Sequence, residues 1–241
     1  MGFTRMFIRY FVLLHFIFLV PGIVSAGELV LEYKFTADTD DSVLDTSGNG
    51  LDGVIQGSGT KHFGAGFSGR GLRLNGIDNY VLVEDNPIFD MGQYTLMAWI
   101  KFKPSQWDRE EVMEKAGAFW MNVRQDTHKI RAGGFFSGCT DKTLSHLFDS
   151  DTSIAVDTWT HVASTYDGKI LRIYINGVLA GKSAVPVPGP VCANIEPLAI
   201  GSKHRIIPPE MFAAYFFGNM DSVRIFNVAL PAWRIKQQMN K

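Results

Sequence analysis

The sequence predicts an all-β chain: a two-sheet antiparallel β-sandwich with a short C-terminal helix, behind an N-terminal signal peptide. Three observations carry this. Apolar and polar residues alternate at period two through most of the chain. Gly- and Asp-containing turn signals separate these short runs. Only Ala232 to Met239, following Pro231, reads as helix. Many short strands with almost no helix make a sandwich or jelly roll.

Met1 to Ala26 has the build of a cleaved signal peptide. Arg5 and Arg9 give a positive start, and Tyr10 to Val20 form an apolar run broken only by His15. Pro21 and Gly22 end the run, and Val24-Ser25-Ala26 places small side chains at the cleavage positions. The run is shorter than the ~20 apolar residues of a spanning helix, so no membrane span is expected after cleavage. The product is expected to be secreted, whether extracellular, on the cell surface or in the periplasm. Residues 27–241 show no linker, low-complexity tract or repeat and read as one domain. A formal net charge of -1 gives no basic footprint for nucleic acid.

The strands follow in order. Leu29, Leu31, Tyr33 and Phe35 share one face of the first, with Val30, Glu32 and Lys34 on the other. Further strands are expected at Gly71 to Leu74, Tyr80 to Glu84, Tyr94 to Lys103, Ala118 to Arg124 and Lys129 to Ala132. More come at Thr160 to Tyr166, Ile170 to Asn176, Pro197 to Ile200 and Phe217 to Phe226. Asn176-Gly177, between apolar runs, is the strongest hairpin signal. Tyr94 to Lys103 is apolar on both parities and belongs near a sheet centre, covered on both faces. In Ala118 to Arg124, Phe119, Met121 and Val123 point one way and Trp120, Asn122 and Arg124 the other. A ring, an amide and a guanidinium on one face suit a sugar, which stacks on rings and takes planar hydrogen bonds. An ordinary solvent face with one stray Trp is the bland alternative.

Export gives the two cysteines a meaning. Cys139 and Cys192 are the only pair, and an oxidising compartment favours a disulfide between them, with two buried free thiols as the alternative. Asp45, Ser47 and Asn49 alternate ahead of Gly50 like the opening of a calcium loop. Asp221 could complete such a Ca2+ site, with Asp45 and Asn49, if the first and last strands are neighbours. A plain Asx turn is the alternative.

Several motifs in series resemble the laminin-G-like, concanavalin A-like jelly rolls. They are Leu44-Asp45-Thr46-Ser47-Gly48-Asn49-Gly50-Leu51-Asp52-Gly53, Gly71-Leu72-Arg73-Leu74-Asn75-Gly76 with Tyr80-Val81, and Tyr94-Thr95-Leu96-Met97-Ala98-Trp99-Ile100-Lys101. Trp159-Thr160-His161-Val162-Ala163, Tyr166-Asp167-Gly168 and Tyr174-Ile175-Asn176-Gly177 follow, and Gly218 to Asn227 with Ala229-Leu230-Pro231 closes the series. The resemblance spans nearly the whole mature chain, weakest from Lys103 to Asp157. It implies a two-sheet sandwich, often with structural calcium, and a recognition or adhesion role. It also implies one concave sheet, where a neighbouring strand adds Arg131 to the surface of Trp120, Asn122 and Arg124. Phe135 and Trp107, on adjacent loops, then wall the groove.

Enzymes share this architecture. Laminarinase-type hydrolases carry Glu-x-Asp-x-x-Glu on a strand, and no such motif occurs here. Glu110, Glu111 and Glu114 are the nearest cluster, with spacing that suits a solvated turn or helical edge. The Arg, Gln, His and Tyr constellation of alginate-lyase-type strands has no counterpart, and no Gly-x-Ser-x-Gly or His-Glu-x-x-His site appears. His161 alternates with Trp159 and Ala163 and reads as a satisfied, half-buried residue. Gly64-Ala65-Gly66-Phe67-Ser68-Gly69 fits a dinucleotide fingerprint but leads into a strand, so it reads as a turn. The expectation is a non-catalytic, lectin-like domain whose partner is a glycan or polysaccharide, with adhesion to a surface protein as the alternative and a polysaccharide-degrading enzyme of this fold as the lesser one.

Overall fold

The computed structural model describes residues 28–39, 41–59, 62–136, 145–184, 186, 189–206 and 211–241. The expected signal peptide and Cys139 lie outside the described residues. In chain order the strands are β1 (Leu29–Tyr33), β2 (Ser42–Val43), β3 (Gly53–Gln56), β4 (Phe63–Ala65), β5 (Arg70–Asn75) and β6 (Tyr80–Val83). Then come β7 (Tyr94–Phe102), β8 (Arg109–Lys115), β9 (Phe119–Arg124), β10 (Lys129–Phe135), β11 (Ser145–Ser153) and β12 (Thr160–Tyr166). β13 (Leu171–Ile175), β14 (Val178–Lys182), β15 (Leu198–Ile200), β16 (Lys203–Arg205), β17 (Met211–Ala213), β18 (Phe217–Phe226) and helix α1 (Ala232–Met239) complete the chain.

These strands build the expected sandwich of two antiparallel sheets. One runs β14-β13-β12-β7-β18-β5-β4, with β1 also paired to β18, and the other runs β11-β10-β9-β8-β15-β6-β3-β2. β16 and β17 form a separate two-stranded hairpin. Strand β18 is long enough to be shared: Phe217 to Met220 pair with β5, and Val223 to Phe226 pair with β1. First and last strands are therefore neighbours.

The main core lies between the sheets. From β7 it takes Tyr94, Leu96, Ala98, Ile100 and Phe102, and from β9 it takes Phe119, Met121 and Val123. The second parity of β7 is also covered, as its apolar pattern requires. Met97 packs with Ala163, Tyr174, Phe226, Leu230 and Ile235 beneath α1, and the Trp99 Nε1–H donates to the Met239 carbonyl at 3.1 Å.

That outer layer also buries polar groups. Arg224 stands opposite Glu32 in the β1/β18 register. Its Nε donates to Glu32 Oε1 at 2.7 Å, and its Nη1 to the Gln238 carbonyl on α1 at 2.9 Å. His161 departs from the expectation of a satisfied, half-buried side chain. It is fully buried, edge-on to Trp99, and neither ring nitrogen finds a partner among the described residues. Burial first, then the charge of Arg224, pushes its pKa down to about 3, so the ring is neutral at any ordinary pH.

Two strand boundaries differ from expectation in the region that matters for function. β10 continues past Ala132 through Gly133 and Gly134 to Phe135. The run Arg109 to Lys115 is not a solvated turn or helical edge but a buried strand, in which Glu110, Glu111 and Glu114 are all shielded from solvent. The expected Gly64–Gly69 turn is present: the Gly66 N–H donates to the Gly69 carbonyl between β4 and β5.

Candidate functional site

The outer face of the β8–β11 half of the second sheet carries two rows of side chains. Cross-strand registers put Glu114, Trp120, Gly133 and Leu147 in one row. Glu111, Asn122, Arg131 and Asp149 form the next. In a regular strand Glu111 and Glu114 would point to opposite faces. The register between β8 and β9 shifts between Glu111 and Met113, so one extra residue is accommodated there. Such a bulge restores both glutamates to the same face, while Val112 and Met113 both enter the core.

A cavity of about 410 Å³ opens over these rows. Its apolar wall is Trp120, Phe135 and Leu147, and its polar groups include Arg109, Glu111, Glu114, Asn122, Arg131, Asn194, Glu196, Lys203 and Arg205. Trp120 and Phe135 meet nearly edge-on, with centroids 5.5 Å apart. The indole lies across Gly133, where an added Cβ would sit 2.4 Å from the ring and 2.8 Å from the His146 carbonyl. A glycine inside a strand commonly marks such a close approach.

The carboxylates form the floor. Glu111 is 1% exposed and Glu114 4% exposed. Glu111 Oε1 accepts from Arg109 Nε at 3.0 Å and from Asn122 Nδ2 at 3.3 Å. Burial lifts the Glu111 pKa above the ordinary carboxylate range, with Arg109 partly opposing the rise. Burial, reinforced by the charge of Glu111, pushes Glu114 up to about 8. Glu196 accepts from the Ile206 N–H at 2.6 Å.

Of the six residues expected to touch sugar, Trp120, Asn122, Arg131 and Phe135 line this cavity. Arg131 reaches it as half of a two-bond fork to Asp149, at 2.5 and 2.9 Å. Arg124 shares their strand face but is held in a fork by Asp126, and it does not line the cavity. Trp107 is elsewhere: its Nε1–H donates to the Gly76 carbonyl and its ring meets Tyr215 edge-on. Arg109, Glu111, Glu114, Glu196, Lys203 and Arg205 also line the cavity and were not expected there.

Asp45, Asn49 and Asp221 do not fit a calcium ion as they stand. Each Asp45 oxygen already accepts two hydrogen bonds, Oδ1 from the Glu32 and Ser47 N–H groups and Oδ2 from the Ser47 hydroxyl and the Leu51 N–H. That occupies all four of its lone-pair sites. Asn49 Nδ2 donates to the Leu29 and Val30 carbonyls. Asp221 serves a different loop, accepting from the Ser68 N–H at 2.9 Å. The loop ahead of Gly50 is the Asx-capped turn. Cys192 is buried on the cavity wall, and its N–H donates to the Phe135 carbonyl at the end of β10. Its expected partner, Cys139, lies outside the described residues.

Comparison with known proteins fits this architecture. Residues 75–236 match the family described as the Concanavalin A-like lectin/glucanases superfamily (Laminin_G_3). Pappalysin-1 of Mus musculus is 24% identical over 185 residues, covering 72% of this chain, which spans only 11% of that protein. The binding domain of Paraclostridial Mosquitocidal Protein 1 superposes with a TM-score of 0.68 at 15% identity, over 89% of this chain and 52% of that one. Domain 4 of AbnA, an extracellular GH43 arabinanase from Geobacillus stearothermophilus in complex with arabinotriose, gives 0.62 at 21% identity, over 88% and 98%. A structure of botulinum neurotoxin type C, whose cell entry depends on two ganglioside molecules, gives 0.63 at 14%, over 89% and 51%. With two eight-stranded sheets in place and the family match covering most of the chain, this protein belongs to the concanavalin A-like lectin/glucanases superfamily.

Proposed function

We propose that this chain is a secreted, non-catalytic carbohydrate-binding protein whose site is the cavity over β8–β11. One observation carries the reading: a cavity about the size of a small saccharide site combines the Trp120–Phe135 wall with amides and charged groups converging from four strands and the segment before β15. Sugars present an apolar ring face and a rim of hydroxyls, and both have counterparts here. The arabinotriose and ganglioside contexts of the similar structures support the same class of ligand. Secretion fits the expected signal peptide and the proposed Cys139–Cys192 disulfide. No helix among the described residues is long and apolar enough to cross a membrane.

A glycan array of the mature protein tests the reading, with Gly133→Ala beside it. The wild type is expected to bind one class of oligosaccharide. The variant should bind the same class about tenfold more weakly or worse, since a Cβ at 133 drives the Trp120 ring off its seat. A change in tryptophan fluorescence should report the displaced ring. Full binding by Gly133→Ala would place the sugar elsewhere.

Glu111 and Glu114 favour a second reading, glycoside cleavage, because paired carboxyl groups with raised pKa values can divide the roles of acid and base. Against it, Glu111 is tied to Arg109 and both groups lie almost wholly buried. Release of new reducing ends from a bound oligosaccharide would move the protein into this class.

A further inference from the structure

We propose that the cavity selects acidic saccharides: the sugar ring lies on Trp120 and Phe135 while its carboxylate is received by Lys203 and Arg205, above the buried Glu114. The proposal rests on the carbohydrate reading of the same cavity and names the class of sugar.

Lys203 and Arg205 sit at alternate positions of β16 and both line the cavity. His204 between them turns away, its Nδ1 bonded to the Tyr80 hydroxyl at 2.9 Å. The other two cations of the site are committed, Arg109 to Glu111 at 3.0 Å and Arg131 to Asp149 at 2.5 and 2.9 Å. The β16 pair is not. Lys203 Nζ is 3.9 Å from Glu114, and Arg205 Nε is 3.6 Å from Glu196. Both separations exceed a hydrogen bond, so each cation keeps donors to offer.

Depth sorts the charges further. The Lys203 and Arg205 side chains are 25% and 24% exposed, while those of Glu114 and Glu196 are 5% and 4% exposed. An entering ligand meets the cations before the carboxylates. Four cations (Arg109, Arg131, Lys203, Arg205) and three glutamates (Glu111, Glu114, Glu196) line the cavity, and Asp149 neutralises Arg131 from outside it. With every group ionised the sum is zero. Burial raises the pKa of both Glu111 and Glu114, and each of them that is protonated leaves one positive charge of the site uncompensated. An ammonium and a guanidinium with spare donors form charge-assisted hydrogen bonds to a carboxylate, bonds that a neutral sugar cannot match.

A pH dependence follows. Facing Glu114 are Glu111 and Arg109 from β8, Lys203 and Arg205 from β16, Glu196 from the segment before β15, and the uncharged Trp120 and Asn122 from β9. As pH rises through about 8, Glu114 ionises. It then competes for Lys203 and repels a ligand carboxylate. Acid binding should therefore be strong below pH 8 and weaken above it.

The test is calorimetric titration of the mature protein with uronate trisaccharides, their methyl esters, and sialyllactose against lactose. At pH 6.5 the acids are expected to bind about tenfold or more tighter than the matching neutral sugars, the size of one charge-assisted hydrogen bond. The preference should shrink towards parity by pH 9.5. Lys203→Met should shrink the ratio between acid and ester and Lys203→Met with Arg205→Met should erase it, while Glu114→Gln should hold the ratio at its pH 6.5 value across the range. Esters or lactose binding as tightly as the acids would overturn this proposal while leaving the carbohydrate site standing. Failure of every sugar in the panel and on the array would overturn both.

Discussion

Trp120→Ala is expected to abolish sugar binding and leave the fold nearly untouched, while Met121→Ala, one residue along, does the reverse. The two side chains leave β9 on opposite faces. Met121 is fully buried in the core between the sheets, whereas Trp120 is half-buried on the outer face, against Phe135 and over Gly133. Truncating Met121 removes packed core volume and should cost about 2–5 kcal/mol of folding free energy. Truncating Trp120 removes the wall on which a sugar ring would stack. Aromatic anchors of this kind carry about 2 kcal/mol or more of binding, roughly thirtyfold in affinity, and folding should change by less than about 1 kcal/mol. Chemical unfolding and glycan titration of the two variants separate these effects. A Trp120→Ala protein that unfolds readily but binds like wild type would mean the faces of β9 have opposite roles.

That contrast is legible in the sequence, because the parity of β9 is clean: Phe119, Met121 and Val123 alternate with Trp120, Asn122 and Arg124. The doubly apolar β7 is legible for the same reason, and so is helix α1 after Pro231. The floor of the site is not. Arg109 to Lys115 reads as a charged, solvated stretch because five of its seven residues are ionisable. Its burial comes from neighbours distant in sequence, β15 and the hairpin that follows. The bulge that turns Glu111 and Glu114 to one face leaves no mark in local composition. Gly133-Gly134 does leave one. The pair reads as the end of a strand, yet within a strand glycines signal close approach, here by the indole of Trp120. Sequence places Trp107 at the groove only because it is aromatic and near in sequence. Its Nε1–H finds the Gly76 carbonyl instead. Sequence proximity offers no means of telling these two fates apart.

The largest loss of stability from a single change is expected at Arg224, far from the cavity. Arg224 is 1% exposed. It ties three parts of the outer layer together: β18 by its own backbone, β1 through Glu32, and α1 through the Gln238 carbonyl. Thr46 adds a hydroxyl bond to the other Glu32 oxygen at 2.8 Å and so draws in the loop ahead of Gly50. Replacing Arg224 with Met keeps most of the volume but leaves Glu32 shielded without its guanidinium. Breaking a buried pair on one side costs about 3–5 kcal/mol. Burial alone would raise the Glu32 pKa, but the hydrogen bonds from Arg224 and Thr46 and the charge of Arg224 outweigh it, and the folded-state value lies below the ordinary one. The stability this contributes is present above the unfolded carboxylate value and is lost as pH falls through the lower folded one. In Arg224→Met only Thr46 and Lys34 still oppose the burial effect, so the Glu32 pKa rises and protonation relieves the weakened pairing. The gap between wild type and variant should therefore be widest near pH 7 and narrow as pH falls through the variant's raised Glu32 pKa towards the lower wild-type one. Urea unfolding at pH 7 and at pH 3.5 measures both quantities. A variant within about 1 kcal/mol of wild type at pH 7, or a gap that does not change with acid, would show that the pair is a tolerated contact rather than the tie that fastens α1 to the sandwich.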